Sequence, residues 1–439
     1  MSRGILSSLA LVVLGGETWL FCWVAERHFQ WHRTRAEELS ASFQHDEAAR
    51  HAARAAAFHR RDGRIRLLAA RLLRRAELPT EAQPHLETAR RRLGDHPDVE
   101  LEQLLLAVQL GHASELVESS LYRRAQRDVA HRALILEALA VAALASYRID
   151  KGRALLDEWL QDGSPDPRPY FWRGLALQQM GGYQEDAALA DFRRAVQLHP
   201  DYDEARRRLG LLLVKKNAHA EAGSHFKQLL ARNENDVTAW VGLAKVEAAA
   251  GANETARTYL QKALQLQGDS VDALRELGIL TLNEGNAEGA LPLLARAYQL
   301  DPSDPYTSYN LFRCYQQLGR ESEAQQQKAQ HEALAARHER TLKLLAELQS
   351  RPHDADLLHE LGTLYLQAGR ADAEATGLWF LQRALTASPR HQATLQTLAR
   401  YYESKGRKDL ALEFLRRLKP YRNFPSALDD PFRLRAIPP

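Results

Sequence analysis

Cysteine is nearly missing from this chain. Cys22 and Cys314 are the only two in 439 residues. They cannot build a disulfide framework, and no Cys-x-x-Cys pair exists for zinc, haem attachment or dithiol redox work. An excess of charge of one sign is missing too. Fifty-nine basic residues face 56 acidic ones, which argues against a nucleic-acid partner, because such a binder carries a large positive surplus. A phosphate-cradling glycine loop, a His-Glu-x-x-His zinc helix and a nucleophile elbow are also absent. His28 and His32 stand four apart on one helical face, but two ligands fall short of the three or four a metal site needs. No enzyme activity, cofactor or metal is therefore expected. Glycine (24) and proline (17) are modest beside the abundant alanine and leucine, which favours long helices over many short strands.

One long apolar run stands out. Ile5 to Ala25 reads ILSSLALVVLGGETWLFCWVA, with a single charge at Glu17, and is long enough to span a bilayer as a helix. Its ten strong apolar residues supply about −3 to −6 kcal/mol of insertion free energy, against roughly +2.5 to +3.5 for the acid. Trp19, Trp23 and Trp31 suit an interfacial belt. A cleaved signal peptide is the rival reading, with Ile5–Leu14 as its apolar core and a small-residue exit near Gly15 or Gly16, though bulky Trp19, Leu20, Phe21 and Trp23 directly afterwards count against it. A buried helix is the third. The expected setting is a single-pass membrane protein of a bacterial inner membrane. Arg27, Arg33 and Arg35 after the run tilt the body toward the cytoplasm.

A thirty-four-residue period organises the remainder. Leucines recur at Leu175, Leu209, Leu243, Leu277 and Leu311. Small residues follow at Ala176, Gly210, Ala244 and Gly278, and alanines at Ala188, Ala222, Ala256, Ala290 and Ala324. Each series advances by thirty-four, the mark of a helical hairpin that cannot bury its apolar face alone and stacks on its neighbours. The pattern resembles the tetratricopeptide repeat. Trp172, Leu175, Ala188, Phe192, Ala195 and Pro200 supply most of that signature in one copy, and Leu361, Gly362, Tyr365, Ala384 and Pro389 much of it in another. The resemblance implies an all-α, right-handed superhelical solenoid of antiparallel helix hairpins, here preceded by one transmembrane helix.

The expected segments are a membrane anchor (1–28), divergent helical hairpins (29–134), a regular array (135–328), an elongated helix or insertion (329–353), a C-terminal repeat pair (354–420) and a tail (421–439). In the resembled family the first helix of each hairpin lines a concave groove that holds peptides or partner helices. Carried onto this chain, that face selects Tyr170, Arg173, Arg207, Lys245, Arg275, Tyr306, Tyr309 and Arg313, together with Leu177, Leu211, Val241 and Ile279. Arginine and tyrosine commonly anchor protein partners. The expected partner is a protein or peptide that is acidic or ends in a free carboxylate. The alternative is an ordinary solvated face whose arginines pair with neighbouring acids such as Glu204 and Asp272. The function implied is a non-enzymatic, membrane-tethered scaffold. The rivals are a client-holding assembly chaperone for envelope or cytochrome maturation, or a regulatory subunit of a separately encoded enzyme. Residues 26–95 hold fifteen arginines against ten acids. That basic collar either rests on anionic headgroups or is a solvated helix face.

Overall fold

The computed structural model describes residues 25–418, apart from 112, 162, 164, 181–183 and 369–370. The apolar run up to Val24 and the tail 421–439 lie outside the described residues. Among these residues there are twenty-two helices and no strand. No helix among them is long and apolar enough to cross a membrane.

The helices come in pairs. The first four hairpins are α1 (25–41) with α2 (His45–Phe58), α3 (Gly63–Arg75) with α4 (Pro79–Leu93), α5 (Pro97–Gln109) with α6 (Glu115–Ala125), and α7 (Arg132–Ala145) with α8 (Ile149–Gln161). Then follow α9 (Arg168–Met180) with α10 (Glu185–Leu198), α11 (Asp203–Lys215) with α12 (His219–Arg232), and α13 (Val237–Ala249) with α14 (Asn253–Leu266). Next are α15 (Val271–Asn283) with α16 (Ala287–Leu300), and α17 (Pro305–Gln317) with α18 (Glu321–Ser350). The last two are α19 (Ala355–Leu366) with α20 (Ala371–Ala387) and α21 (Gln392–Ser404) with α22 (Lys408–Leu418). The described residues fall into two compact units. One runs to Leu300 and includes Cys314–Gly319; the other comprises Asp301–Arg313 and everything from Arg320 onward.

A short turn with one left-handed residue closes most hairpins. Asn217, Gly251, Gly285 and Gly319 have φ of 59°, 78°, 85° and 67°, and they stand thirty-four residues apart. The same step links Phe43, Glu77 and Gly111, at 58°, 59° and 73°. The period therefore reaches back to the first hairpin, where residue identity hardly displays it. Positive φ suits glycine and is tolerated by asparagine, but a β-carbon makes it costly for Phe43 and Glu77. First helices are capped from before their start: Asp236 accepts from the Ala239 N–H, Ser270 from Ala273, and Asp354 from Asp356 and Leu357, satisfying donors that the helix itself leaves open.

Packing follows from the periodic residues. Ala188, Ala222, Ala256 and Ala290 are fully buried, so the two helices of a hairpin approach closely. Phe226 on α12 is fully buried between Gly210 on α11 and Gly242 on α13. One ring thus joins its own hairpin to the next, burying a side chain worth roughly 1.5–3 kcal/mol. Phe192 lies against Gly174, Leu294 against Gly278 and Leu381 against Gly362 in the same large-on-small manner.

The first unit also holds contacts between distant hairpins. The Phe43 ring lies 4.7 Å from His199 and 5.2 Å from Tyr202, with the Arg168 guanidinium 5.8 Å from its centroid. Beneath it Glu137 receives Arg168 at 2.8 Å and Arg75 at 3.4 Å. Between adjacent hairpins, Glu102 on α5 pairs with fully buried Arg74 and, at 3.3 Å, with Arg71, both on α3. The segment 329–353, expected as an elongated helix or insertion, falls mostly within the single thirty-residue helix α18. Its buried leucines are Leu344 and Leu348. Leu342 on the same helix is half exposed.

Candidate functional site

In the first unit, the basic residues at the selected first-helix positions all meet carboxylates. Arg173 on α9 grips Asp191 with two nitrogens, at 2.6 and 2.8 Å, and reaches Asp157 at 2.8 Å. The hydrogen bonds it donates to Asp191, and then the one to Asp157, hold its guanidinium even more firmly protonated than usual. Tyr170 stands beside it, with the guanidinium carbon 5.7 Å from the ring centroid. Arg207 on α11 bonds Asp236 at 2.9 Å and Glu204. Lys245 on α13 meets Glu276 at 2.9 Å. Arg275 on α15 meets Asp272 at 2.5 Å and shares Glu276 at 3.3 Å. These side chains keep only 12–30% of their surface exposed.

Several of these pairs cross from one hairpin to the next. Arg207 joins α11 to the cap of α13, Lys245 joins α13 to α15, and Arg193 on α10 joins Glu221 on α12 at 2.7 Å. The basic row is thus part of how neighbouring repeats are fastened. Two of the apolar companions depart from expectation: Leu177 and Val241 are buried core residues rather than groove lining.

In the second unit, α17 presents a different surface. Tyr306 is 70% exposed and Tyr309 46%. They are three residues apart on one face, with Arg313 a turn further on. Asn310 fixes this stretch by donating to the Tyr306 carbonyl at 2.8 Å and accepting from Arg313 at 3.1 Å. Tyr309 lies 5.5 Å from the ring of His331 on α18, and that ring is 3.1 Å from the Pro305 carbonyl oxygen.

The nearest approach to a catalytic constellation also lies here, and sequence reading passed over it. Asp356 is 2.9 Å from His391 Nε2, whose Nδ1 is 2.7 Å from the Thr394 hydroxyl. That order resembles an acid–base–nucleophile relay. Thr394, however, is fully buried, and His391 caps α21 by accepting from the Thr394 N–H at 3.4 Å. A hydroxyl sealed from solvent cannot meet a substrate, so the set serves to start a helix. Among the described residues no cluster of His, Cys, Asp and Glu could hold a metal ion. His32, one of the pair noted for metal spacing, instead meets His51, Nδ1 to Nδ1 at 2.9 Å. Cys314 is buried, its thiol donating to the Ala287 carbonyl at 3.2 Å.

Family models described as tetratricopeptide repeat match residues 173–237, 224–271 and 242–305, and a further one matches 281–331. Residues 173–331 are tetratricopeptide repeats. The repeat positions that those matches cover are the ones filled by Gly210, Gly242, Phe226 and the buried alanines. No curated protein matches the chain. Among solved structures, it is similar to MamA from Desulfovibrio magneticus RS-1, at 21% identity over 38% of this chain and 94% of that one, with a TM-score of 0.35. It is also similar to a thermophilic TPR protein of Thermus thermophilus, at 23% identity over 46% and 99%, with a TM-score of 0.35. A third is human IFIT1, at 16% identity over 81% and 89%, with a TM-score of 0.41. At such scores the likeness does not extend to what those proteins bind.

Proposed function

We propose that this chain is a non-enzymatic, membrane-tethered scaffold that holds a segment of a partner protein against the first-helix faces of its repeats. Tetratricopeptide repeats typically mediate protein–protein interaction, and that general role applies to residues 173–331. The observation that carries the finer reading is the pair of exposed tyrosines, Tyr306 and Tyr309, on one face of α17. Two rigid aromatic side chains held outward by a helix, with an arginine a turn away, are the kind of group that anchors a partner. Around Arg173, Arg207, Lys245 and Arg275, an acidic segment or a free carboxylate would bind by exchanging with the carboxylates already there. The tether is the run Ile5–Ala25, whose length and hydrophobicity suit a bilayer.

The test is crosslinked co-purification from native membranes, comparing the full chain with the double variant Tyr306→Ala/Tyr309→Ala. Loss of two central aromatics should lower capture of the principal partner about thirtyfold, the equivalent of ~2 kcal/mol. The helical circular dichroism should stay unchanged, since neither ring is in the core. Undiminished capture by the double variant would remove the tyrosine face from the site. These positions are more diagnostic than the arginines, whose reversal to glutamate would also unfasten neighbouring hairpins.

A further inference from the structure

The first hairpin sorts its charge by end. Helices α1 and α2 run antiparallel: His59 meets Glu26 at 3.0 Å, the Phe29 and His59 rings are 4.0 Å apart, and His32 meets His51 further along. One end therefore gathers residues 25–35 of α1 with residues 51–64 of α2 and the turn into α3. That end carries seven arginines against two acids. Both acids are engaged within the fold: Glu26 faces His59, and Asp62 caps α3 by accepting from the Arg64 and Ile65 N–H groups. Arg33 and Arg35 reach back to Glu37 and Glu38, each at 3.2 Å. Arg54, Arg60, Arg61 and Arg64 are exposed, and no acid lies within ion-pair distance of them among the described residues. The opposite end, residues 36–50, has four acids and one arginine.

The basic end also shows aromatic surface. Trp31 is 57% exposed and Phe58 47%. The His32 imidazole links them, 4.7 Å from Trp31 and 6.1 Å from Phe58, and His28 is also 6.1 Å from Phe58. This is the end of the hairpin from which the run Ile5–Ala25 departs. Tryptophan beside arginine at the foot of an apolar span is the composition of a membrane–water interface. A concentration of arginine there is attracted to anionic lipid.

We infer that the basic end of the α1–α2 hairpin, through Trp31, Phe58, Arg54, Arg60, Arg61 and Arg64, docks on the anionic headgroups of the bilayer in which residues 5–25 are held. This rests on the membrane tether proposed above and fixes how the first repeat meets the surface.

The full chain is reconstituted into vesicles of phosphatidylcholine alone or with added phosphatidylglycerol. The Trp31 fluorescence is taken as the difference between the wild-type chain and Trp31→Phe, and its quenching by acrylamide is measured. Trp31 should be shielded several-fold more with phosphatidylglycerol than without it. The extra shielding should vanish in high salt and in Arg60→Glu/Arg61→Glu, with circular dichroism confirming that this variant stays helical. Equal quenching in the two lipids, or shielding that survives both salt and charge reversal, overturns the inference. Sedimentation separates it from the tether. A chain held by both vesicle types without lipid-dependent shielding keeps the tether and loses the docking face. A chain held only by phosphatidylglycerol vesicles keeps the docking face and loses the tether. A chain held by neither loses both.

Discussion

His45 lies largely buried beside Arg74 and Arg75, and neither of its ring nitrogens has a hydrogen-bond partner. Burial first, and then the Arg75 and Arg74 charges, push its pKa down from 6.5 to about 3. The folded chain thus resists protonating this group, whereas the unfolded chain protonates it readily below pH 6.5. The stability it contributes is fully present above pH 6.5 and is lost as the pH falls toward 3. Urea unfolding at a series of pH values should show the wild-type chain losing about 1.4 kcal/mol per pH unit in that window relative to His45→Gln. Parallel curves for the two would mean that the imidazole finds water or a partner. Nothing in the repeat pattern marks this histidine. Its environment is made by residues of α3, which come together with the α1–α2 turn only on folding.

At the scale of the element, the hairpins are built from a few enforced small residues. A β-carbon added at Gly242 would overlap the Phe226 ring, and one at Gly210 would lie 2.8 Å from it. Because the ring is fully buried between two hairpins, it has nowhere to move. Gly242→Ala should cost about 1–3 kcal/mol in denaturant unfolding. Pairing it with Phe226→Leu should cost less than the sum of the two single changes, since the smaller side chain frees the space. Strict additivity would show that ring and glycine are not in contact. Gly210 was legible in advance because it sits on the thirty-four-residue step. Gly242 stands off that series, and its role appears only when the next hairpin is laid against Phe226. The turn residues show the converse. Phe43 and Glu77 hold the left-handed position that Gly251 and Gly285 hold downstream. The backbone period persists where side-chain identity has drifted.

For the molecule as a whole, cohesion is mostly between neighbouring hairpins, reinforced by pairs such as Arg207–Asp236 and Lys245–Glu276. Interfaces repeated along a chain unfold less cooperatively than one shared core, and the described residues already divide into two compact units. Scanning calorimetry should therefore give a van't Hoff enthalpy below the calorimetric one. Equal values would mean that both units melt as one. The contact of Phe43 with His199 and Tyr202 should make the first unit the more cooperative part, because it ties the first hairpin to one far downstream.

The sequence alone determined what depends on local spacing. Buried alanines and glycines at a fixed step specify a hairpin and its stacking, because each helix face must find the same small residues in its neighbour. The same step placed Tyr306, Tyr309 and the basic row on first helices. Only the tertiary structure decided which of these are available. Arg173, Arg207 and Lys245 meet carboxylates of neighbouring helices or their caps, and Arg275 those of its own helix, while the tyrosines of α17 stay in solvent. It likewise decided that the arginines of the first hairpin gather at one end, since antiparallel packing brings residues 25–35 beside 51–64. Spacing fixes the direction in which a side chain leaves its own helix. What it meets there depends on which other helices fold against it.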